Sequence, residues 1–250
     1  MIRSKKNGMA AISTFSESLK GRDLKVMLRD LLRQYGPEKA LEKTCHLPAR
    51  QVANPLFSFL YSTDPLFRWQ AVTAMGILVS TLAQTNAESS RTLMRRLMWN
   101  LNDESGGIGW GSVEAMGEIM ARSALIAAEY AAILISYIRP DGNFLETEGL
   151  QQGALWAIGR VAHAHPGLMA DAAAFLPGFM SGANPANRGL SAWAAGPIGS
   201  AITKPHLAEL TRDSRMIEIF IDGSLVKRKV GTLAQEALNL AADSIPPGTG

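Results

Sequence analysis

Cysteine is almost missing from this chain of 250 residues. Cys45 stands alone, which excludes an internal disulfide and any multi-cysteine metal site, and suits a reducing compartment. Aromatic residues make up only 7% and charged residues 19%. The formal net charge of +3 is too weak for a protein that coats nucleic acid. The basic clusters are short: Arg3-Ser4-Lys5-Lys6, Arg95-Arg96 and Lys227-Arg228-Lys229. No apolar run approaches the ~18–20 residues that cross a bilayer. The opening "GMAAISTF" is short and ends in Ser16-Glu17-Ser18, a poor secretory core. A cytoplasmic, soluble protein with no membrane partner and no nucleic-acid partner is expected. Val, Ile, Tyr and Phe are modest beside Ala, Leu and Met, a balance that favours helices over sheets.

What is present is a repeat. Five segments align: "DPLFRWQAVTAMGIL" (64–78), "SGGIGWGSVEAMGEI" (105–119), "TEGLQQGALWAIGRV" (147–161), "NPANRGLSAWAAGPI" (184–198) and "KRKVGTLAQEALNLA" (227–241). Gly76, Gly117, Gly159 and Gly196 fall in register, 41, 42 and 37 residues apart, and Asn239 takes the place in the fifth, 43 further on. Two positions before each anchor stands an alanine: Ala74, Ala115, Ala157, Ala194 and Ala237. Small residues at fixed offsets let helix backbones approach closely. A second apolar, helix-spaced segment precedes each anchored one: 54–61, 90–101, 127–138, 167–180 and 204–213. Two helices per ~40 residues, repeated, is the pattern of an α-solenoid. Anchored helices are predicted near 66–82, 110–122, 149–163, 187–202 and 231–242.

"DPLFRWQAVTAMG" is similar to the HEAT-like repeat of the phycobilisome-lyase type: Asp-Pro, an apolar residue, Arg, then a helix ending Ala-apolar-Gly. "NPANRGLSAWAAG" resembles it with Asn184 in the aspartate place, whereas the second copy carries Gly109 where Arg68 and Arg188 stand. The resemblance covers roughly residues 54–242. "LNDESGGIGWGSVEAMGEIM" also resembles an uncharacterised HEAT-repeat family of sulfate-reducing and related anaerobic bacteria. The fold expected is all-α, a HEAT-like α-α superhelix of about five helix pairs.

Two regions fall outside the repeat. Residues 1–50 read as an N-terminal helical cap or extension, amphipathic up to the Gly36-Pro37 break. Within the repeat domain, 51–243, the stretch "RMIEIFIDGSLVKRKVG" alternates Ile217, Ile219 and Ile221 ahead of Asp222-Gly223, which predicts a β-hairpin at about 215–230. The tail 244–250 is expected to be disordered.

The glycine run from Gly106 to Gly111 tempts a nucleotide-binding reading. A helix rather than a strand precedes it, and no lysine occurs between residues 44 and 203 for a Walker loop. Asp103, Glu104 and Glu114 would also crowd an anion. It reads best as a turn between tightly packed helices, with Gly106, Gly107 and Gly109 as a candidate rim of a binding site.

In this repeat type the resemblance places the anchored helix on the inner, concave side. Positions seven before, three before and one after the anchor share one helix face, and the family pattern marks them as exposed. Across the repeats that face reads Trp69, Thr73, Ile77; Trp110, Glu114, Glu118; Gln152, Trp156, Arg160; Gly189, Trp193, Pro197; and Thr232, Glu236, Leu240. Four of the five tryptophans lie on it, with Trp99 on an outer helix. Exposed aromatic clusters mark binding surfaces, unless residues 1–50 or a second subunit cover them. Glu114 and Glu118 stand one helical turn apart and Arg160 can face them from the next repeat, most simply as a solvated ion-pair row.

No catalytic constellation stands out, and neither a metal nor a cofactor is expected. Of His46, His163, His165 and His206 none is followed by Glu, so the paired His-Glu iron sites of HEAT-type hydroxylases are absent. His163 and His165 fall near a helix C-terminus, where a partly charged imidazole suits the dipole. Three functions remain open. The first is a non-enzymatic scaffold holding a protein or peptide segment in an aromatic groove, with Trp69, Trp110, Glu114, Glu118, Trp156, Arg160 and Trp193 as binding residues. The second is a tetrapyrrole-type chromophore-binding or lyase-like protein, and the third a HEAT-like DNA glycosylase.

Overall fold

The computed structural model describes residues 21–101 and 109–243, side chains through 241. Gly106 and Gly107 of the candidate rim, and the tail from 244, lie outside the described residues. The order is α1 (Arg22–Thr44), α2 (Ala49–Phe59), α3 (Pro65–Thr85), α4 (Ala87–Leu101), α5 (Ser112–Arg122), α6 (Ala124–Ser136) and α7 (Glu148–Ala164). A 3₁₀ stretch (Pro166–Ala174) leads into α8 (Leu176–Met180), α9 (Pro185–Ile198) and α10 (Lys204–Leu210). The strands β1 (Met216–Ile221) and β2 (Ser224–Lys229) follow, then α11 (Val230–Asp243).

The anchored helices are α3, α5, α7, α9 and α11, and each packs directly on the next to form an inner row. The helices between them pack on the outside of that row. This is a helical-repeat solenoid. Helix α1 extends the row at its N-terminal end by packing on α3 and burying Leu24, Leu28 and Leu32. It kinks at Gly36, whose φ of 78° is a left-handed conformation that glycine tolerates, and Pro37 restarts the helix.

The Asp-Pro and Asn-Pro pairs mark helix starts. Asp64 accepts from the Phe67 backbone N–H, Asn184 accepts from those of Ala186 and Asn187, and each is followed by proline at the first helical position. Helix α3 reaches a mean hydropathy of 1.3 over 18 residues, enough by composition to cross a membrane, yet 61% of that window is buried in the protein. It is a buried helix of the inner row.

The anchor glycines set the spacing of the row. A methyl group at Gly117 would stand 2.5 Å from Cβ and 2.6 Å from Cα of Ala157 on α7. Two backbones therefore touch where each repeat supplies Ala or Gly. Gly117→Ala should cost about 1–3 kcal/mol through overpacking, outweighing the roughly 1 kcal/mol that alanine gains in a helix. Chemical denaturation of the two proteins measures it; an unchanged midpoint would show that the row can widen without loss.

The strands pair antiparallel from Met216↔Lys229 to Ile221↔Ser224. Asp222 and Gly223 turn between them at φ 50° and 77°, the two positive values of a type I′ turn. Ile217 and Ile219 are buried. The opposite face of β1 carries Phe220, also buried, and that residue shapes the concave side.

Candidate functional site: a concave face divided by a hairpin

The four inner tryptophans come from four successive inner-row positions, and the structure gathers three of them into one aromatic chain. Trp69 and Trp156 have ring centroids 4.4 Å apart, and Trp156 and Trp193 are 6.3 Å apart. Phe220 of the hairpin stacks on Trp69 at 4.5 Å with the rings 3° from parallel. The indole N–H of Trp156 donates to the Phe220 carbonyl at 2.8 Å. The hairpin is thus folded back against the concave face and fixed there by the tryptophans. Gly189 makes room for it, since a side chain there would run into Ile217.

This changes the expected exposure. Trp156 is only 3% exposed and Thr73 is buried, because the neighbouring inner helices and the hairpin close over them. Trp69 and Trp193 are half-buried, while Trp110 keeps 43% of its surface open. Trp110 lies in the turn before α5, beside Gly149 at the start of α7. Trp99, on the outer α4, is 76% exposed. Gly109 is buried, and a methyl there would meet Leu150 and Leu101, so it serves packing.

The expected solvated row of ions is a buried network instead. Glu118 is 4% exposed. Its Oε1 accepts from Arg122 Nε at 2.6 Å and its Oε2 from Arg160 Nε at 2.7 Å. Gly76 leaves the space into which the Glu118 methylene fits. Arg160 therefore pairs with Glu118 and not with Glu114. His163 stacks on Trp193 at 4.8 Å. Burial first, and then the Arg160 charge, push its pKa below the ordinary histidine value, so the helix-end charge expected from its position is disfavoured.

Glu114 has a different environment. Its carboxyl lies against Gly153 of α7, where a methyl would come within 2.8 Å of Cδ and 2.9 Å of Oε1. Oε2 is sealed from solvent and makes no hydrogen bond. Desolvation raises the pKa of this carboxyl, and backbone hydrogen bonds at Glu114 and Gly111 together with the Arg68 charge pull the other way. A buried acceptor without a partner costs about 1–3 kcal/mol, and more when charged. Glu114 is held at that cost.

Two hollows flank the hairpin, both touching Trp156 and Phe220. One, of about 350 Å³, is lined by Arg68, Trp69, Trp110, Glu114, Gln152 and Glu218 among others. The other, of about 550 Å³, holds Glu118, Arg122, Arg160, His163, Trp193 and the turn at Asp222. The site therefore includes Phe220 and Glu218, which sequence reasoning missed. The available signal was Phe220 itself, the one aromatic residue of the hairpin, on the face that the isoleucine alternation leaves outward. In the sequence Arg68 stands out only as part of the repeat pattern. Its counterpart Arg188 is committed to Asp213 at 2.7 Å and to the Gly182 and Ala183 carbonyls. Arg68 lines the open hollow.

No protein-family model matches the chain, and no curated protein matches it in sequence. Among solved structures it is similar to a designed armadillo repeat protein, at 19% identity and TM-score 0.53, over 92% of this chain and 98% of the other. A second designed armadillo repeat protein, solved in complex with the peptide (KR)4, aligns at 18% identity and TM-score 0.54 over 94% and 100%. An engineered protein aligns at 16% identity and TM-score 0.51 over 89% and 98%. These likenesses show the fold: a helical-repeat solenoid. The narrower phycobilisome-lyase resemblance finds no matching family model.

Proposed function

We propose that this protein is a non-enzymatic interaction scaffold that holds a segment of a partner protein in the hollow between Trp69, Trp110 and the hairpin. The observation that carries it is the open Trp110 indole at the rim of a 350 Å³ hollow walled by a second indole. A tryptophan left in water on a concave face gives up burial that a partner restores, and such residues dominate interface energies. The complex of a designed armadillo repeat protein with a peptide supports the reading by analogy of fold. A cytoplasmic setting belongs to the same proposal. The tetrapyrrole-lyase alternative has no feature of the hollow in its favour. Base excision has one against it, since two carboxylates outnumber Arg68 among the described lining residues and would repel phosphate.

Peptides selected from a random display library against the full chain, then measured against wild type and Trp110→Ala, test this. A hot-spot indole is worth ~2 kcal/mol or more, so binding should fall at least tenfold. The melting temperature should hold, because this side chain supports no core. Selected peptides that bind Trp110→Ala as tightly as wild type would remove the basis for the proposal.

A further inference from the structure

We infer that the hollow between α3, α5 and the hairpin is a pocket for a cationic side chain, lysine or arginine, presented by the partner segment. The charged head pairs with Glu114, and the stem lies along the indoles of Trp69 and Trp110. The inference rests on the scaffold reading and adds the chemistry of the guest.

Three observations converge. First, Glu114 borders the hollow with an oxygen that has no hydrogen-bond partner, although Glu118 one turn later has two arginines. A carboxylate needed only for packing would be expected to have found a donor, and the glycine at 153 keeps the place for it. Second, among the described residues the charged side chains lining the hollow are Glu114, Glu218 and Arg68. Two carboxylates face one guanidinium, and Arg68 forms no ion pair within hydrogen-bond reach among the described residues. When these described carboxyls are ionised they exceed the guanidinium by one negative charge, which a single guest cation balances; such a guest also favours the ionised Glu114 that burial alone disfavours. Third, the indoles of Trp69, Trp110 and Trp156 stand among the remaining lining residues, and aromatic rings attract ammonium and guanidinium groups through the ring quadrupole.

The competing guests fit less well. An anion would meet Arg68 but also two carboxylates. A neutral apolar group would leave Glu114 sealed and unpaired. The N-termini of α3 and α5 do not call for an anion either. Asp64 caps α3, and backbone hydrogen bonds at Gly111 and Glu114 already engage the carboxyl in the first turn of α5.

The test uses the full chain and three capped octapeptides: alternating Lys-Arg, alternating Gln-citrulline and alternating Glu-Gln. Binding is followed by calorimetry and by tryptophan fluorescence. The protein's own net charge of +3 works against indiscriminate capture of the cationic peptide. Saturable binding of the Lys-Arg peptide is expected, at least tenfold tighter than either other peptide. Glu114→Gln, which keeps the shape and removes the charge, should weaken it at least tenfold while melting no lower than wild type. Should Glu114→Gln fail to fold, Glu218→Gln and Trp110→Ala take its place, each expected to weaken the Lys-Arg peptide. Equal binding of that peptide by wild type and the charge-removing variants, or tighter binding of the neutral or acidic one, overturns the inference. The two readings fail separately. If library-selected peptides need Trp110 but not the Glu114 charge, the cation pocket falls and the scaffold stands; if none needs Trp110, both fall.

Discussion

Trp156→Ala should destabilise the protein by about 3–5 kcal/mol, the range for removing a fully buried tryptophan. The indole is sealed at 3% exposure, packs against Trp69, Trp193 and Phe220, and donates a hydrogen bond to the Phe220 carbonyl. Truncation opens a cavity and leaves that carbonyl without its donor. Phe220→Ala removes the same contact from the other side, so the two losses should overlap rather than add. Solenoids lose cooperativity repeat by repeat, so a global melt alone does not localise the damage. Hydrogen exchange does: the amides of β1 and β2 should lose protection in both variants, while those of α3 and α5 keep most of theirs. If Trp156→Ala melts like wild type and its hairpin stays protected, the hairpin is held by something other than the inner tryptophans. The contrast with Trp110→Ala, expected to affect binding and not stability, separates the supporting part of the aromatic face from the open part.

The division between those parts could not be read from sequence. The inner row could be, because close backbone approach permits only small residues, and Gly117 over Ala157 leaves no room for a methyl. Helix starts were legible where a capping side chain precedes proline, at Asp64-Pro65 and Asn184-Pro185. The hairpin was legible in its alternating isoleucines and in Asp222-Gly223, residues that tolerate the positive φ of the turn. Each of these signals is local. The hydrogen bond from Trp156 to Phe220 joins residues 64 apart, and no periodicity encodes which distant element will cover a face. Helical spacing put Trp69, Trp110, Trp156 and Trp193 on one side, yet exposure depends on what folds over that side. The hairpin shelters Trp156 and leaves Trp110 open.

Burial of Glu118 was hidden for a related reason, and it yields the second large effect. Glu118→Ala should cost about 2–3 kcal/mol. Breaking a fully buried ion pair by removing one partner costs about 3–5 kcal/mol, because the other charge is stranded. Here the arginines are less confined: the side chains of Arg122 and Arg160 are 33% and 29% exposed, against 6% for Glu118. Both guanidiniums can turn toward water, so solvent screening discounts the full penalty. What remains is the loss of two charge-assisted hydrogen bonds and of the methylene packed at Gly76. Glu118→Gln keeps the methylene and one acceptor and should lose only about half as much. The order wild type, Glu118→Gln, Glu118→Ala in denaturant midpoint is the expected result. A double-mutant cycle with Arg160→Ala should return a coupling of at least about 1 kcal/mol, the level seen when residues share one hydrogen-bonded network. Zero coupling would mean that the bridge between α5 and α7 contributes nothing, and that packing of Gly117 on Ala157 holds the two helices together without it. A Glu118→Ala protein as stable as wild type would go further, since the buried carboxylate would then serve the larger hollow beside Asp222 rather than the fold.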